Sequence, residues 1–560
     1  MHHSSRTQRF LVAAIGCLGL VFSSPLSVVH AQLLAFPGAE GFGKYTSGGR
    51  GGQVVYVTTL EDDANGETEG SLRWAMKQYP DEPLTVCFAV TGEIRLVKDL
   101  RINRKNYTIA GQTAPGLGIV ITHNKVNCGG SENFIIRNIR FRVGNEDAAG
   151  NFCKENAFGA ENCSNFILDH CDFGWSAEEN INTFDGHFFT VQYCIVHEGL
   201  YDSGHPKGSR GYGCQWGGSP ASYHHNLLAH NNGRSCRFNG ARNNDRVVYL
   251  DYINNVNFNY YGGSSGCHGG ENTCDDKNYN GKNSVHEVNF INNYYIKGPN
   301  TTNTPLFVVA DEKRSGATSH GASQWYINGN IFEGVQTATD DNWSAVTIKK
   351  YTKEEARVDT LIRTKTPYWD CNADSTAFSG LYDFDELAYA AGSFESAEEA
   401  RQTVLDTVGA FPRDTIERRL IREVRDNTYT HTGSKSNKKG IIDTPSDAEG
   451  FVQYPVENPL PDTDQDGMPD EWELEQGLDP NVPDNNRRFG EGYTVLERYL
   501  HYRISGQTMP GEMWAEGVDE VKSERGTLKK ILREGQLLIQ RGETGDRDVK
   551  IYTVQGVEVR

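Results

Sequence analysis

Positive charge is in short supply. Against 74 acidic residues the chain sets 55 lysines and arginines, a formal charge of −19, and this excludes nucleic acid as a partner because a phosphate backbone requires a basic surface. Long apolar runs are missing after Phe22, so no transmembrane segment is expected. No two cysteines stand at CxxC spacing, and no two further cysteines stand at ligand spacing from Cys267-His268, which argues against zinc. Asn-Gly and Asp-Gly pairs rarely fall where hairpins of a sandwich or propeller would need them. Helix-forming residues do not dominate, so a helical bundle is excluded as well.

What is present is glycine, tyrosine and phenylalanine, with 60, 26 and 25 copies, the composition of a turn-rich all-β protein. At 560 residues the chain is too long for one compact core, which leaves several domains or one elongated repeat body. Residues 1–31 have the form of a secretory signal: Arg6 and Arg9, an apolar run from Phe10 to Phe22, and small residues around Val29-His30-Ala31. A lipoprotein anchor at Cys17 is the rival, with a poor lipobox in Ala14-Ile15-Gly16. The mature chain is expected outside the cytoplasm: secreted, periplasmic or at the cell surface. Its eleven further cysteines could form disulfides there, but several are expected to be buried small hydrophobes.

From about residue 85 to 335 short β-branched or aromatic runs alternate with polar, Asn-containing stretches. Examples are NFIIRNIRF (133–141), NFILDHCDF (165–173), FFTVQYCIV (188–196), RVVYLDYINNV (246–256) and VHEVNFINNYY (285–295). Their starts lie roughly 23 to 40 residues apart, which fits one turn of a stacked coil with loops of variable length. This predicts a parallel β-helix with a columnar core and asparagines laddering at the bends. GSLRWAM (70–76) predicts a short helix over the open end. Ser396 with Glu399, and Asp414 with Glu417, have capping-box spacing and predict helices over 396–408 and 414–425 on the flank. Residues 426–460, rich in Gly, Ser, Lys and Pro, are expected to be a linker.

Asp462, Asp464, Asp466, Asp470 and Glu473 stand at ligand positions of an EF-hand loop, with Gly467 at its sixth place. Pro459 and Pro461 preclude a helix before it, so the loop resembles the calcium loops of dockerin and thrombospondin-type repeats. It is expected to fill 461–510 together with GYTVLERYLHY (492–502). Residues 511–560 alternate as strands and resemble a trimmed sorting tail.

FPGAEGFGKYTSGGRGGQVVYVTTL (36–60), TIAGQTAPGLGIVI (108–121), LDHCDFGWSAEEN (168–180), HPKGSRGYGCQWGG (205–218) and HHNLLAHNNGRSCRFNG (224–240) follow one another in a telling order. In that order the chain resembles the pectate lyases of polysaccharide lyase family one, in particular their Bacteroidetes branch. The resemblance implies a right-handed, pectin lyase-like parallel β-helix that cleaves α-1,4-linked galacturonan by calcium-assisted β-elimination. It implies Arg234 as the base, Arg237 as a carboxylate clamp and Lys207 as a holder of the substrate acid. An arginine ordinarily titrates at about 12.5 or higher, so activity is expected to favour alkaline pH. For calcium it implies Glu178 and Glu179, with Glu155 and Asn156 one coil earlier. Where the family carries an aspartate pair this chain has Asn156 and Gly159, which points to a metal completed by the substrate's own carboxylates. A polygalacturonase-like hydrolase would need a carboxylate pair such as Asp169 and Asp172, which, three apart on one strand, are expected to face opposite sides of the sheet. A catalytically silent glycan-binding coil is the other alternative. His170, His197, His224 and His225 are given no catalytic role.

Overall fold

The computed structural model describes residues 33–239, 247–260, 267–269, 285–301, 307–309, 322–348, 351–362, 394–488 and 492–506, and the backbone of four strands between 520 and 552. The expected signal lies outside the described residues. Three parallel sheets of ten, nine and nine strands stack rung on rung and form the expected parallel β-helix. Among the described residues no helix is long and apolar enough to cross a membrane.

The register shows why these residues coil. Phe134, Phe166 and Phe189 occupy one position on successive rungs. Their rings stack face to face, with centroids 4.8 and 4.3 Å apart. Each apolar run is two strands joined by one residue in the left-handed region, such as Asn138, His170, Tyr193, Asn254 or Asn292. The laddering asparagines are the residues that follow this bend. Asn226 accepts from Cys194, Asn255 from Asn226, Asn293 from Asn255 and Asn330 from Asn293, each backbone amide 2.9–3.0 Å from the next side-chain oxygen. Cys171 and Cys194 extend the same column, and the Cys171 amide meets the Cys194 sulfur at 3.5 Å. The nine described cysteines are all free and buried, as their role in a stacked core requires.

The flanking helices lie at Ala397–Thr407 and Thr415–Asp426, each opened by the expected capping box. Their apolar faces cover Trp175, Ile195, Leu227 and Val256 of the coil. Beneath them runs a buried ionic layer. Arg142 pairs with Asp172 at 2.8 Å and Asp414 at 2.6 Å, Arg140 with Glu417 at 2.7 Å, and Arg419 with Glu198 at 2.9 Å. Burial alone would raise Asp169, Asp172 and Asp414, but Arg137 beside the first and Arg142 beside the other two hold all three below the usual carboxylate range. Stability from such groups is complete above the ordinary carboxylate pKa of about 3.9 and is lost as pH falls through their lower folded values. Melting temperature should therefore hold at neutral pH and fall steeply below about pH 4. Asp172→Asn, which leaves Arg142 short of a buried partner, should cost about 3–5 kcal/mol at pH 7 by chemical denaturation.

Two expectations change. Asp169 ends one strand and Asp172 begins the next, in a different sheet, so they are not on one strand. Nor is 426–460 a free tether. Ile441 and Ile442 are fully buried, the Ile442 carbonyl accepts from the Tyr201 amide at 2.9 Å, and Asp443 accepts from the Asp202 amide at 2.9 Å. Two adjacent isoleucines are too short a run to show a period in a polar stretch, which is why the segment looked like a linker. The strands Glu520–Ser523, Gly526–Arg533, Gln536–Gly542 and Lys550–Tyr552 form a small antiparallel sheet.

Candidate active site and calcium loop

One nine-stranded sheet carries the cleft. Phe158–Gly159, Glu179–Asn182, Tyr212–Trp216 and Arg237–Phe238 are consecutive rungs of it, so segments far apart in sequence face one groove. The loops beside them enclose a cleft of about 460 Å³ lined by Glu155, Asn156, Glu178, Glu179, Lys207 and Arg234 together with Lys154, His205, Arg210 and Gln215. Six of the seven cleft residues expected from the sequence thus come together. The exception is Arg237, which lies one rung past Gln215 and donates to Asn239 at 3.4 Å.

Arg234 sits in the left-handed region at φ 53° in the bend after Leu227–Ala229, which turns its side chain into the groove. Its guanidinium lies 4.2 Å from the centre of the Tyr212 ring, donates to Gln215 Oε1 at 2.8 Å and pairs with Glu179. Three neighbours on two rungs fix the plane of the fork.

Glu178 is differently placed. His205 at 3.0 Å, Lys207 at 3.2 Å and Arg210 surround its carboxylate. Burial would raise it, but the hydrogen bonds and charge of Arg210, then Lys207 and His205, hold it below the usual range. Glu178, implied by the resemblance as a calcium ligand, is here the anchor of a clamp with three basic side chains. Lys207 is largely exposed at its tip and reaches the groove from this clamp. His205, Arg210 and Tyr212 were missed from the sequence although all three lie in the quoted HPKGSRGYG stretch. Glu155 has no ion-pair partner among the described residues, and the Asn156 oxygen accepts only a long 3.4 Å contact from the Glu179 amide. Glu155, Asn156 and Glu179 line the same cleft, but among the described residues three acidic, cysteine or histidine ligand atoms converge only at 462–484, so a cation held here would need further oxygens.

No family model matches the chain. The probable pectate lyase C of Aspergillus fumigatus is 30% identical to it over 481 residues, covering 85% of this chain and 96% of that protein. The probable pectate lyase C of Aspergillus terreus is 30% identical over 489 residues, covering 86% and 98%. The chain belongs to the pectate lyase family. The probable pectate lyase C of Emericella nidulans is a further relative, 31% identical over 477 residues.

This pectate lyase-family chain carries its other acidic cluster at 462–484. Oxygens of Asp462, Asp464 and Asp466 converge within 4.8 Å, as do those of Asp466, Glu473 and Asp484. Gly467, at φ 103°, makes the turn, and a Cβ there would stand 2.9 Å from Leu496. Both oxygens of fully buried Glu473, one of Asp464 and one of Asp484 have no hydrogen-bond partner. Burial first and the neighbouring carboxylates next push Asp464 to about 6, Asp466 to about 7 and Glu473 to about 8. Orphaned buried carboxylates raising one another are what a hard divalent cation relieves, so the donor set fits calcium. Asp470 accepts from the Thr463 amide at 2.7 Å and hydroxyl at 2.8 Å and helps to shape the loop. Asp484, beyond the loop, joins the cluster.

The loop is docked on the coil. Tyr56 donates to Asp462, and Met468, Trp472, Leu496 and Tyr499 pack with Ala110 and Val54. If calcium binds here, chelation should lower the melting temperature and readdition should restore it. At a hundred times Kd the gain corresponds to about 2.7 kcal/mol. Glu473→Ala should abolish the calcium-dependent shift; a shift that persists would place the ion elsewhere.

Proposed function

We propose that this protein is an exported pectate lyase that cleaves α-1,4-linked galacturonan by calcium-assisted β-elimination, with Arg234 as the base. Family membership together with Arg234 held in a cleft bordered by both cations and carboxylates carries the proposal. An acidic chain needs such a local concentration of Lys154, Lys207, Arg210 and Arg234 to receive a polyanion. Export is supported by the leader at 1–31, and the Bacteroidetes-type branch by the order of the motifs and the C-terminal strands.

In the reaction the C5 proton of a galacturonate passes to a neutral Arg234 side chain. The electrons of the C5–H bond form the C4=C5 double bond as the C4–O bond breaks, and the leaving oxygen takes a proton from solvent. Lys207 holds a substrate carboxylate, and Arg237, one rung beyond, steadies the next part of the chain. Tyr212 and Gln215 keep the guanidinium in its plane. Calcium, when held by Glu155, Asn156, Glu179 and substrate, supplies neutralisation of the carboxylate that flanks C5. Glu179 pairs with Arg234 in the empty cleft and would be shared between that pair and a bound cation.

Both members of the carboxylate pair that a hydrolase would need are occupied: Asp169 is buried against Arg137 at 2.7 Å and Asp172 against Arg142. De-esterified polygalacturonate should therefore yield the ultraviolet-absorbing 4,5-unsaturated product, faster at alkaline pH and only with calcium. Equal rates in calcium and in chelator would remove the metal from the reaction. Reducing ends without absorbance would make the protein a hydrolase, and no product would make it a silent glycan-binding coil.

A further inference from the structure

The sheet face that bears the cleft continues toward the amino-terminal end of the coil. Arg101, Asn127, Gly159, Asn182, Gln215 and Arg237 hold one register position on successive rungs. Beside this column stands Lys125, only 8% exposed. Its backbone is anchored, the amide donating to Asp99 Oδ1 at 3.2 Å and the carbonyl accepting from Leu100 at 2.9 Å. Its ammonium has no carboxylate or hydrogen-bonding partner among the described residues. The stem is buried while the ammonium keeps contact with solvent, so an unpaired charge stands at the sheet face.

The neighbouring rung makes room for it. A Cβ on Gly159 would meet Lys125 Cε at 2.9 Å and Nζ at 3.2 Å. The Gly159 backbone is not in the left-handed region, so nothing but Lys125 demands a glycine there. Gly159 belongs to the coil whose Glu155 and Asn156 line the cleft, so the ammonium adjoins the cleft's amino-terminal edge. Four rungs at about 4.8 Å each put it about 19 Å along the sheet from Arg237. An acidic polymer laid along this face from Arg234 would pass over it with carboxylates at regular intervals.

We propose that Lys125 is a docking point for a carboxylate of the acidic polysaccharide, beyond the catalytic end of the cleft, and that Gly159 is bare so that the ammonium can reach the groove. The proposal rests on the assignment of the cleft to galacturonan. Lys125 binds and positions; it takes no part in bond breaking.

Lys125→Met keeps the apolar stem and removes the charge. It should raise KM for polygalacturonate about tenfold or more and leave kcat near that of the wild type. Its melting temperature should stay near the wild-type value, because the packed stem is kept and the ammonium has no partner among the described residues. Gly159→Ser, which displaces the flexible end of Lys125 without removing it, should raise KM in the same sense. Titration calorimetry with polygalacturonate should show the same loss of affinity, whereas methyl-esterified pectin should bind wild type and Lys125→Met alike. An unchanged KM in both variants overturns the proposal, and so does a lowered melting temperature with unchanged affinity, the mark of a structural lysine. Wild-type protein that binds polygalacturonate and releases no unsaturated product would sink the lyase assignment alone; wild-type protein that does not bind it would sink both.

Discussion

Arg234→Lys should lower kcat by about a thousandfold and leave polygalacturonate binding close to the wild type. The lysine keeps one positive charge in the cleft and so preserves much of the attraction for the polymer. It cannot keep the geometry. Arg234 lies on Tyr212 and donates to Gln215 while it pairs with Glu179, and a flat fork is the shape that meets all three. An ammonium on a flexible stem would pair with Glu179 and lose its aim at C5. Arg237→Lys should behave differently. Arg237 lies outside the cleft on the neighbouring rung, so its loss should raise KM and spare kcat. Circular dichroism and steady-state kinetics on both variants distinguish these outcomes. An Arg234→Lys enzyme with half the wild-type kcat would mean that the proton goes elsewhere, and Lys207 would be the residue to test.

Local rules explain what could be foreseen. The phenylalanine stack repeats because identical register positions recur at each rung, and that period is written in the chain. The two flank helices begin where Ser396 and Asp414 cap them, since capping is decided within four residues. The aspartates at 462, 464 and 466 converge for the same reason. What escaped depends on distance. Glu178 is enclosed by His205, Lys207 and Arg210 from the next coil, and no spacing within either segment reveals that they meet. Asp484 joins Asp466 and Glu473 from beyond the exit helix, while Asp470, in perfect register, spends its carboxylate on Thr463. Motif spacing shows which residues could be ligands, and hydrogen bonds formed on folding decide which remain available.

The same distinction governs the last prediction, that a chain ended at residue 440 should fail to give a stable, active coil. The polar composition of 426–460 argues for a dispensable tether, yet its buried part is doubly bound. Ile442 closes the apolar cluster under the flank helices, alongside Leu420, Ile421 and Val424. Asp443 holds the Asp202 amide and the amides of Lys435 and Ser436, which ties down the loop that leads into His205 and Lys207. Farther on, Tyr454 donates to Asp414 at 2.9 Å, inside the ionic layer. The helix Val495–Ser505 after the acidic loop then returns to the start of the coil, with Glu497 on Arg50 at 2.6 Å and Arg503 on the Gln112 carbonyl at 3.0 Å. Removing all of this would expose Val54, Ala110 and the Trp175 ring that Phe451 covers, and each fully buried apolar side chain uncovered costs about 1.5–3 kcal/mol. That total is comparable with the whole stability of an ordinary domain. The shortened chain should therefore be insoluble or melt far below the full chain, whereas a chain ended at 506, which keeps both straps, should melt like the full one and retain its activity. A soluble, active chain ended at 440 would show that these contacts ride on the coil without supporting it.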